Sequence, residues 1–255
     1  MTPENYNDNF HAVHFQNSIS SAVEIIPLFL SYFRPKTVLD VGCGLGSWLK
    51  IFEENQCEVF GIDGDYVDTK DLVIQSQKFK SYDLNLKYDL HKKYDLVTSL
   101  EVAEHILPEN AEKFIESMCL HGDIILFSAA IPGQEGTLHY NEQYNDYWID
   151  IFAKNGYECV DFLRHKIWNN NKISWWYRQN ILIFIKETEI NNSLYELIAK
   201  EKSQYQNTYV HPSLFEYKCA KADKFEKKAD KFEKLVNSPP KLLKYYLKRI
   251  KSKLR

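Results

Sequence analysis

The segment Val38-Leu39-Asp40-Val41-Gly42-Cys43-Gly44-Leu45-Gly46-Ser47-Trp48-Leu49 constrains the fold more than any other stretch. It is an apolar run that passes through three alternating glycines into a helix-like stretch. Glycines let the backbone bend sharply and let a ligand sit against it with no Cβ in the way. The rest of the chain repeats this order of short branched apolar runs and helical spacings. Strands are expected at Thr37 to Val41, Glu58 to Ile62, Phe79 to Tyr82, Asp95 to Leu100 and Asp123 to Phe127, and helices at Gly46 to Asn55, Pro108 to Cys119 and Gln143 to Asn155. An amphipathic helix precedes them over Asn17 to Phe33, with Ile19, Ala22, Val23, Ile26, Phe29 and Leu30 at three-to-four spacing and Pro35 ending it. Such alternation implies an α/β domain with a mostly parallel sheet covered on both faces.

Two further runs, Glu158 to Phe162 and Asn180 to Lys186, complete seven expected strands. No helix is expected between these two, so the last strand should run in reverse. The expected organisation is a helical cap over residues 1–34, an α/β domain over 35–190 and a helical tail over 191–255.

Four successive strand ends are polar where the strands are apolar. Asp40 and the glycines close the first strand, Gly61-Ile62-Asp63 the second, Tyr82-Asp83-Leu84 the third, and Ser99-Leu100-Glu101-Val102-Ala103-Glu104-His105-Ile106 the fourth. In open α/β sheets the crevice outside these strand ends binds ligands. A carboxylate about 20 residues after a glycine turn accepts hydrogen bonds from ribose hydroxyls in folds of this kind. A dinucleotide would be served by Gly42, Gly44 and Asp63 equally well. The dinucleotide pattern GxGxxG, however, would place glycine at 47, where Ser47 stands.

These residues resemble the class I S-adenosylmethionine-dependent methyltransferases. The first motif of that family, an acid followed by alternating glycines, is matched by Asp40, Gly42, Gly44 and Gly46. A strand like Tyr94-Asp95-Leu96-Val97 leading into Leu100-Glu101-Val102-Ala103-Glu104-His105 is also typical of it. The resemblance covers about Pro35 to Lys186. It implies a Rossmann-like sheet and S-adenosylmethionine as cofactor, released as S-adenosylhomocysteine. By the same resemblance Gly42 and Gly44 line the methionine part, Asp63 binds the ribose, Asp83 takes the adenine amino group and Leu84 offers a backbone amide to the ring. Glu101 lies near the methionine end, or else is a carboxylate favoured at a helix N-terminus.

The polar stretch Ala130-Ile131-Pro132-Gly133-Gln134-Glu135-Gly136-Thr137-Leu138-His139-Tyr140-Asn141-Glu142-Gln143, with Tyr147-Trp148 and Trp175-Trp176-Tyr177-Arg178-Gln179-Asn180, looks like a methyltransferase subgroup associated with bacterial capsule and surface-glycan biosynthesis. That resemblance implies a small-molecule or nucleotide-linked precursor of a capsular polysaccharide as acceptor, methylated on a sugar hydroxyl or a phosphoramidate oxygen. Methyl transfer to a hydroxyl needs alignment and removal of a proton. His139 has the loop position and near-neutral intrinsic pKa for a base, with His105 as competitor. Asn141, Glu142 and Gln143 either orient acceptor hydroxyls or cap the next helix. Arg178 suits a phosphate or carboxylate of the acceptor, or is a strand-edge surface residue. His11 and His14 precede the first helix, and similar segments fold over the cofactor in related enzymes. No metal is expected, because Glu101, Glu104 and His105 are neighbours on one turn.

Charge divides the chain. From Lys221 to Arg255 there are 13 basic and 4 acidic residues, which leaves 19 basic and 31 acidic before them. An acidic body argues against nucleic acid as the substrate. The tail holds a direct repeat, KADKFEK twice from Lys221 to Lys234, which puts Ala222, Phe225, Ala229, Phe232 and Val236 on one seam and allows self-association. After Pro239-Pro240 a basic amphipathic segment could meet an anionic membrane surface. Five cysteines without CxxC spacing and a polar start fit a cytoplasmic protein, free or peripheral to the inner face of the membrane. Besides methyl transfer, a nicotinamide-dependent oxidoreductase and a non-catalytic scaffold remain as alternatives.

Overall fold

In the computed structural model, residues 8–189, 196, 209–238, 240 and 242–243 are described, with the backbone alone over 8–14. The chain divides into two compact units, Met1–Tyr209 and Val210–Arg255.

The first unit opens with α1 (Asp8–Leu30), longer at its start than the spacing predicts and ended by a tight turn in which Phe33 N–H donates to Phe29 O at 2.9 Å. Then follow β1 (Thr37–Val41), α2 (Ser47–Glu54), β2 (Glu58–Asp63), β3 (Phe79–Ser81), β4 (Leu96–Leu100), α3 (Ala111–His121), β5 (Ile124–Ser128), α4 (Asn145–Lys154) and β6 (Tyr157–Val160). Two short helices, α5 (Leu163–Ile167) and α6 (Trp175–Asn180), precede β7 (Leu182–Lys186). They correct the expectation that nothing helical lies between the last two strands. A buried ion pair between Arg164 and Asp161 holds the first turn of α5. Asn180, expected to begin the last strand, instead closes α6.

All seven strands form one sheet in the order β3-β2-β1-β4-β5-β7-β6. Every pairing from β3 to β5 is parallel, and β7 is antiparallel to both β5 and β6. The reversed strand is therefore last in sequence but one place in from the edge. The dinucleotide-binding order 3-2-1-4-5-6 is parallel throughout, so this topology departs from it at β7.

Strand periodicity sorts side chains to two cores. Val38, Leu96, Leu126, Ile183 and Ile185 face α1 and α2, where Ala22, Ile25, Ile26, Phe29, Leu49 and Phe52 are buried. Leu39, Val41, Val97, Ile125, Phe127 and Phe184 face Phe114, Ile115 and Met118 of α3 and Trp148 and Phe152 of α4. Burial of α1 in the first of these cores ties it to the sheet. Ser21 Oγ on α1 also accepts from Ser174 N–H at 3.1 Å.

The second unit is described chiefly through α7 (Pro212–Val236), whose N-terminus is capped by His211 Nδ1 accepting from Ser213 N–H at 3.2 Å. Phe225, Phe232 and Val236 are exposed, as the heptad spacing places them on one stripe. No helix among the described residues is long and apolar enough to cross a membrane.

Candidate active site

The polar strand ends converge as expected at the C-terminal edge of the sheet. Gly42, Gly44 and Gly46 all have positive φ, at 83°, 53° and 86°. Gly46 takes the left-handed N-cap position of α2, which explains why the third glycine falls at 46 and not 47. A Cβ on Gly42 would lie 2.4 Å from the Val102 side chain, so the turn is packed on that side. At Gly44 an added Cβ would meet nothing within 4 Å, so the turn is open there.

Asp40 lies under this turn and is buried. Its register partner on β4 is Thr98, and Thr98 Oγ1 donates to Asp40 Oδ1 at 2.7 Å. Burial raises the Asp40 carboxyl to about 7, against the lowering effect of that bond. Asp40 supports the turn from beneath.

Asp63 ends β2 and faces the turn. Its Oδ2 accepts from Gly44 N–H at 2.6 Å and its Oδ1 from Gly64 N–H at 2.7 Å. The Tyr66 hydroxyl donates to Oδ1 as well, an interaction that the sequence reading missed. The exposed Tyr66 ring lies over Gly64, where a Cβ would come 2.2 Å from it. Asp83 is exposed and accepts from Asn85 N–H at 2.9 Å, while Leu84 is buried beside it.

Glu101 follows β4 with a φ of 58°, a conformation unusual for a side-chain-bearing residue. Its carboxylate accepts from Gln134 Nε2 at 2.7 Å and from Asn180 Nδ2 at 3.0 Å. Asn180 also donates to Gln134 Oε1 at 2.9 Å, and Gln179 Nε2 donates to Asn180 Oδ1 at 2.9 Å. Glu101 is thus the hub of a buried amide network between the loop after β5 and the end of α6, and not a helix-terminal carboxylate. Burial raises its pKa, against the lowering effect of Asn180, Ser128 and Gln134. In the sequence Gln134, Gln179 and Asn180 stand out only as parts of polar stretches.

Glu104 is buried with Oε2 lacking any hydrogen-bond partner, and its pKa is raised well above normal by burial and then by the Glu101 charge. His105 Nδ1 lies 3.2 Å from Leu138 O. Burial, reinforced by neighbouring His139, lowers the His105 pKa to about 4, so its ring is neutral at physiological pH. The two imidazoles meet edge to face with centroids 4.8 Å apart. His139 Nδ1 lies 2.9 Å from Glu142 Oε1.

Glu142 also accepts from Gly133 N–H and Glu135 N–H, each at 2.7 Å, which makes it the organiser of its loop. Asn141 N–H donates to Glu104 O at 3.0 Å, and Asn141 Oδ1 accepts from Gln143 Nε2 at 3.0 Å. The N-cap residue of α4 is Tyr144, whose side chain makes no capping hydrogen bond, so Asn141, Glu142 and Gln143 lie ahead of the cap position.

Arg178 is buried on α6, and its Nη1 donates to Trp168 O at 3.0 Å and Asn171 Oδ1 at 3.2 Å. It braces the α5–α6 connection and is neither a strand-edge nor a surface residue. His11 and His14 fall on the backbone of α1, and their side chains lie outside the described residues. A cavity of about 910 Å³ lined by Phe29, Tyr32, Arg34, Lys93 and Asp95 opens at the opposite end of the sheet, away from the strand ends that bind ligands in such folds.

Comparison with known proteins gives one family match over part of the chain. Residues 16–128 match the model of a family described as methyltransferase domain, a stretch that runs from α1 to the end of β5 and stops before the loop carrying His139. A search of the curated proteins finds no match. Among solved structures, the magnesium protoporphyrin IX methyltransferase of Synechocystis PCC 6803 with bound S-adenosylhomocysteine has 21% identity and a TM-score of 0.49, over 67% of this chain and 84% of that one. The methyltransferase domain of a bacterial Hen1 protein has 16% identity and a TM-score of 0.49, over 66% and 98%. CalS10, an amino pentose methyltransferase of Micromonospora echinaspora, has 13% identity and a TM-score of 0.48, over 73% and 100%.

Proposed function

Taking residues 16–128 as a methyltransferase domain, we propose that this chain transfers the methyl group of S-adenosylmethionine to an oxygen of a small-molecule or nucleotide-linked precursor of a capsular or surface polysaccharide. The observation that carries the transfer reading is the pairing of the open glycine turn with Asp63. Gly44 presents a bare backbone face to the crevice, and its N–H is fixed by the carboxylate that stands where a ribose would bind. The residues fit the cofactor. Asp63 retains an unused lone-pair position on Oδ2, Asp83 is exposed to accept from an amine, and the Leu84 backbone lies beside it. The acceptor class rests on the resemblance of the 130–148 and 175–180 stretches.

Bound S-adenosylmethionine supplies an electrophilic methyl carbon on a sulfonium. His139 takes the acceptor proton at Nε2, because its Nδ1 is held by Glu142, an arrangement that fixes the tautomer as in catalytic triads. Glu101 and its amide network hold the 130–143 loop against α6, so that His139 stays at the strand ends. For an acceptor that already carries an ionised oxygen, positioning alone suffices.

Calorimetric titration with S-adenosylhomocysteine and with NAD, for wild type and Asp63→Ala, tests the cofactor. Binding of the nucleoside that disappears in the variant supports the reading. Binding of NAD moves the chain to the oxidoreductase alternative, and binding of neither moves it to the scaffold. Transfer of labelled methyl to sugar nucleotides or to phosphoramidates then separates the acceptors.

The exposed seam of α7 supports self-association as a further part of this reading. In parallel register, Lys228 of one copy meets Glu233 of the next heptad in its partner, whereas antiparallel pairing sets like charges together. The membrane contact read from the basic segment concerns residues 239–255, which lie almost wholly outside the described residues. Loss of binding to anionic vesicles on deleting them is the expected result.

A further inference from the structure

We infer that Glu104, His105 and His139 form a binding site for one divalent transition-metal ion at the acceptor end of the crevice. One ligand-type atom from each lies within 4.8 Å of the others. Proximity alone would be weak, and three further observations strengthen it.

Glu104 Oε2 is buried without a hydrogen-bond partner, a costly state for a carboxylate oxygen unless a cation completes it. Each imidazole is held through Nδ1, His105 against the carbonyl of Leu138 and His139 against the carboxylate of Glu142. Both acceptors require the proton on Nδ1, which leaves both Nε2 atoms as bare lone pairs. Metal-binding histidines are oriented in this way by a carbonyl or carboxylate behind them.

The loop is also shaped for it. A Cβ on Gly136 would lie 2.1 Å from His139 Nε2, 2.4 Å from Cε1 and 2.6 Å from Cδ2. Near-equal distances to three ring atoms place Gly136 against the ring face, so the lone-pair direction in the ring plane is not what it blocks. Leu138 adopts a φ of 61° while its carbonyl meets His105.

Two imidazole nitrogens and one carboxylate oxygen suit zinc, manganese, iron(II), cobalt or nickel better than calcium or magnesium, which take oxygen ligands. Three protein ligands leave a position open, as in catalytic sites. With metal–nitrogen bonds of about 2.0–2.1 Å, tetrahedral ligand atoms stand roughly 3.3 Å apart. Filling the site therefore draws the ligand atoms together by up to about 1.5 Å. In sequence Glu104 and His105 are only neighbours on one turn, but the fold supplies a third ligand, His139, from a different loop.

Metal binding stands independently of methyl transfer. The role that follows does rest on that reading: with the ion bound, Nε2 of His139 is a ligand rather than a base, and the ion lowers the pKa of the acceptor hydroxyl.

The test is titration of chelator-treated full-length protein with Co²⁺, followed by calorimetry and visible absorption, and with Mn²⁺ by electron paramagnetic resonance. One equivalent should bind to wild type, with a cobalt band typical of low coordination number. Glu104→Gln and His139→Asn should each weaken Co²⁺ binding by at least about 100-fold. Glu142→Gln, which alters the partner that orients His139 and also accepts from the loop amides of Gly133 and Glu135, should weaken it by about 10- to 100-fold. Retained S-adenosylhomocysteine binding shows that each variant is folded, and circular dichroism serves that purpose if wild type binds no nucleoside. Absence of a stoichiometric cobalt site in wild type, or affinity unchanged in folded Glu104→Gln and His139→Asn, overturns the inference. Failure to bind S-adenosylhomocysteine alongside normal cobalt binding removes the transfer reading and leaves the metal site standing.

Discussion

Removing the Tyr66 hydroxyl should tighten binding of the nucleoside. Asp63 has about four lone-pair positions. Three are taken, by Gly44 N–H, Gly64 N–H and the Tyr66 hydroxyl. A ribose that presents two hydroxyls finds one position open on Oδ2 and must displace Tyr66 for the other. A hydrogen bond to a charged group contributes roughly 1.5–3 kcal/mol. Tyr66 is 79% exposed, so water compensates most of the loss when it leaves, and about 0.5–1 kcal/mol remains. Tyr66→Phe should then bind S-adenosylhomocysteine about 2- to 5-fold more tightly by calorimetry, since about 1.4 kcal/mol is tenfold. Adenine alone, which does not reach Asp63, should bind both forms equally. Weaker binding by Tyr66→Phe would refute the displacement argument and show that the phenol contacts the ligand.

The remaining predictions concern stability and assembly. Asp40 has its folded pKa raised from 3.8 to about 7, so the stability this group contributes is present at low pH and is lost as pH rises from about 4 to 7. Asp40→Asn should lack that decline, which amounts to the order of 4 kcal/mol and is read from urea midpoints across this range. His105 acts oppositely, because its lowered pKa of about 4 costs stability as pH falls from 6.5; His105→Asn should remove that loss. Arg178→Ala should destabilise by about 1–3 kcal/mol through its buried bonds to Trp168 and Asn171, yet leave S-adenosylhomocysteine affinity unchanged in calorimetry. Changing Phe225 and Phe232 together to Glu should convert a dimer to a monomer by light scattering, and a wild-type monomer would discard the α7 pairing.

Most of the strands were legible because they are short apolar runs, and in a sheet covered on both faces such runs are buried along their length, whereas the edge strand β3 (Phe79-Lys80-Ser81) is polar and largely exposed. Thr37–Val41 matches its expected bounds, and the other strands shift by one or two residues at their ends. The α5 and α6 helices escaped notice because Asn169, Asn170 and Asn171 break any continuous period, and because the burial of Arg164 and Arg178 is decided by partners that no local pattern shows. The glycine turn and Asp63 could be read from spacing, since both sit at fixed offsets from strands. Tyr66 on Asp63 and the amides on Glu101 could not, because hydrogen bonds between loops depend on the finished sheet. Even so, Gln179 and Asn180 carried a signal: uncharged amides abutting an aliphatic strand are costly to bury without partners.

Backbone strain offers a separate route to the site. Among the described residues, five without glycine's freedom have positive φ, and Glu101, Glu135 and Leu138 lie in the two loops that carry the Glu101 network and the imidazole pair. Such conformations cost about 1–3 kcal/mol and persist where the surroundings impose them. Leu138 makes the argument testable, since its side chain is half exposed and its carbonyl is the partner of His105. If the left-handed conformation is imposed to aim that carbonyl, Leu138→Gly relieves about 1–2 kcal/mol of strain and gives back about 0.4–1 kcal/mol through greater freedom of the unfolded chain. It should therefore be as stable as wild type or up to about 1.6 kcal/mol more stable. Leu138→Ile puts a branched Cβ where the backbone tolerates it least and should lose stability while its carbonyl drifts from His105. Urea midpoints at constant slope measure the first effect, and the chemical shift of the His105 Nδ1 proton measures the second. A Leu138→Gly variant clearly less stable than wild type would mean that the leucine side chain, and not the carbonyl it turns, is what the loop retains.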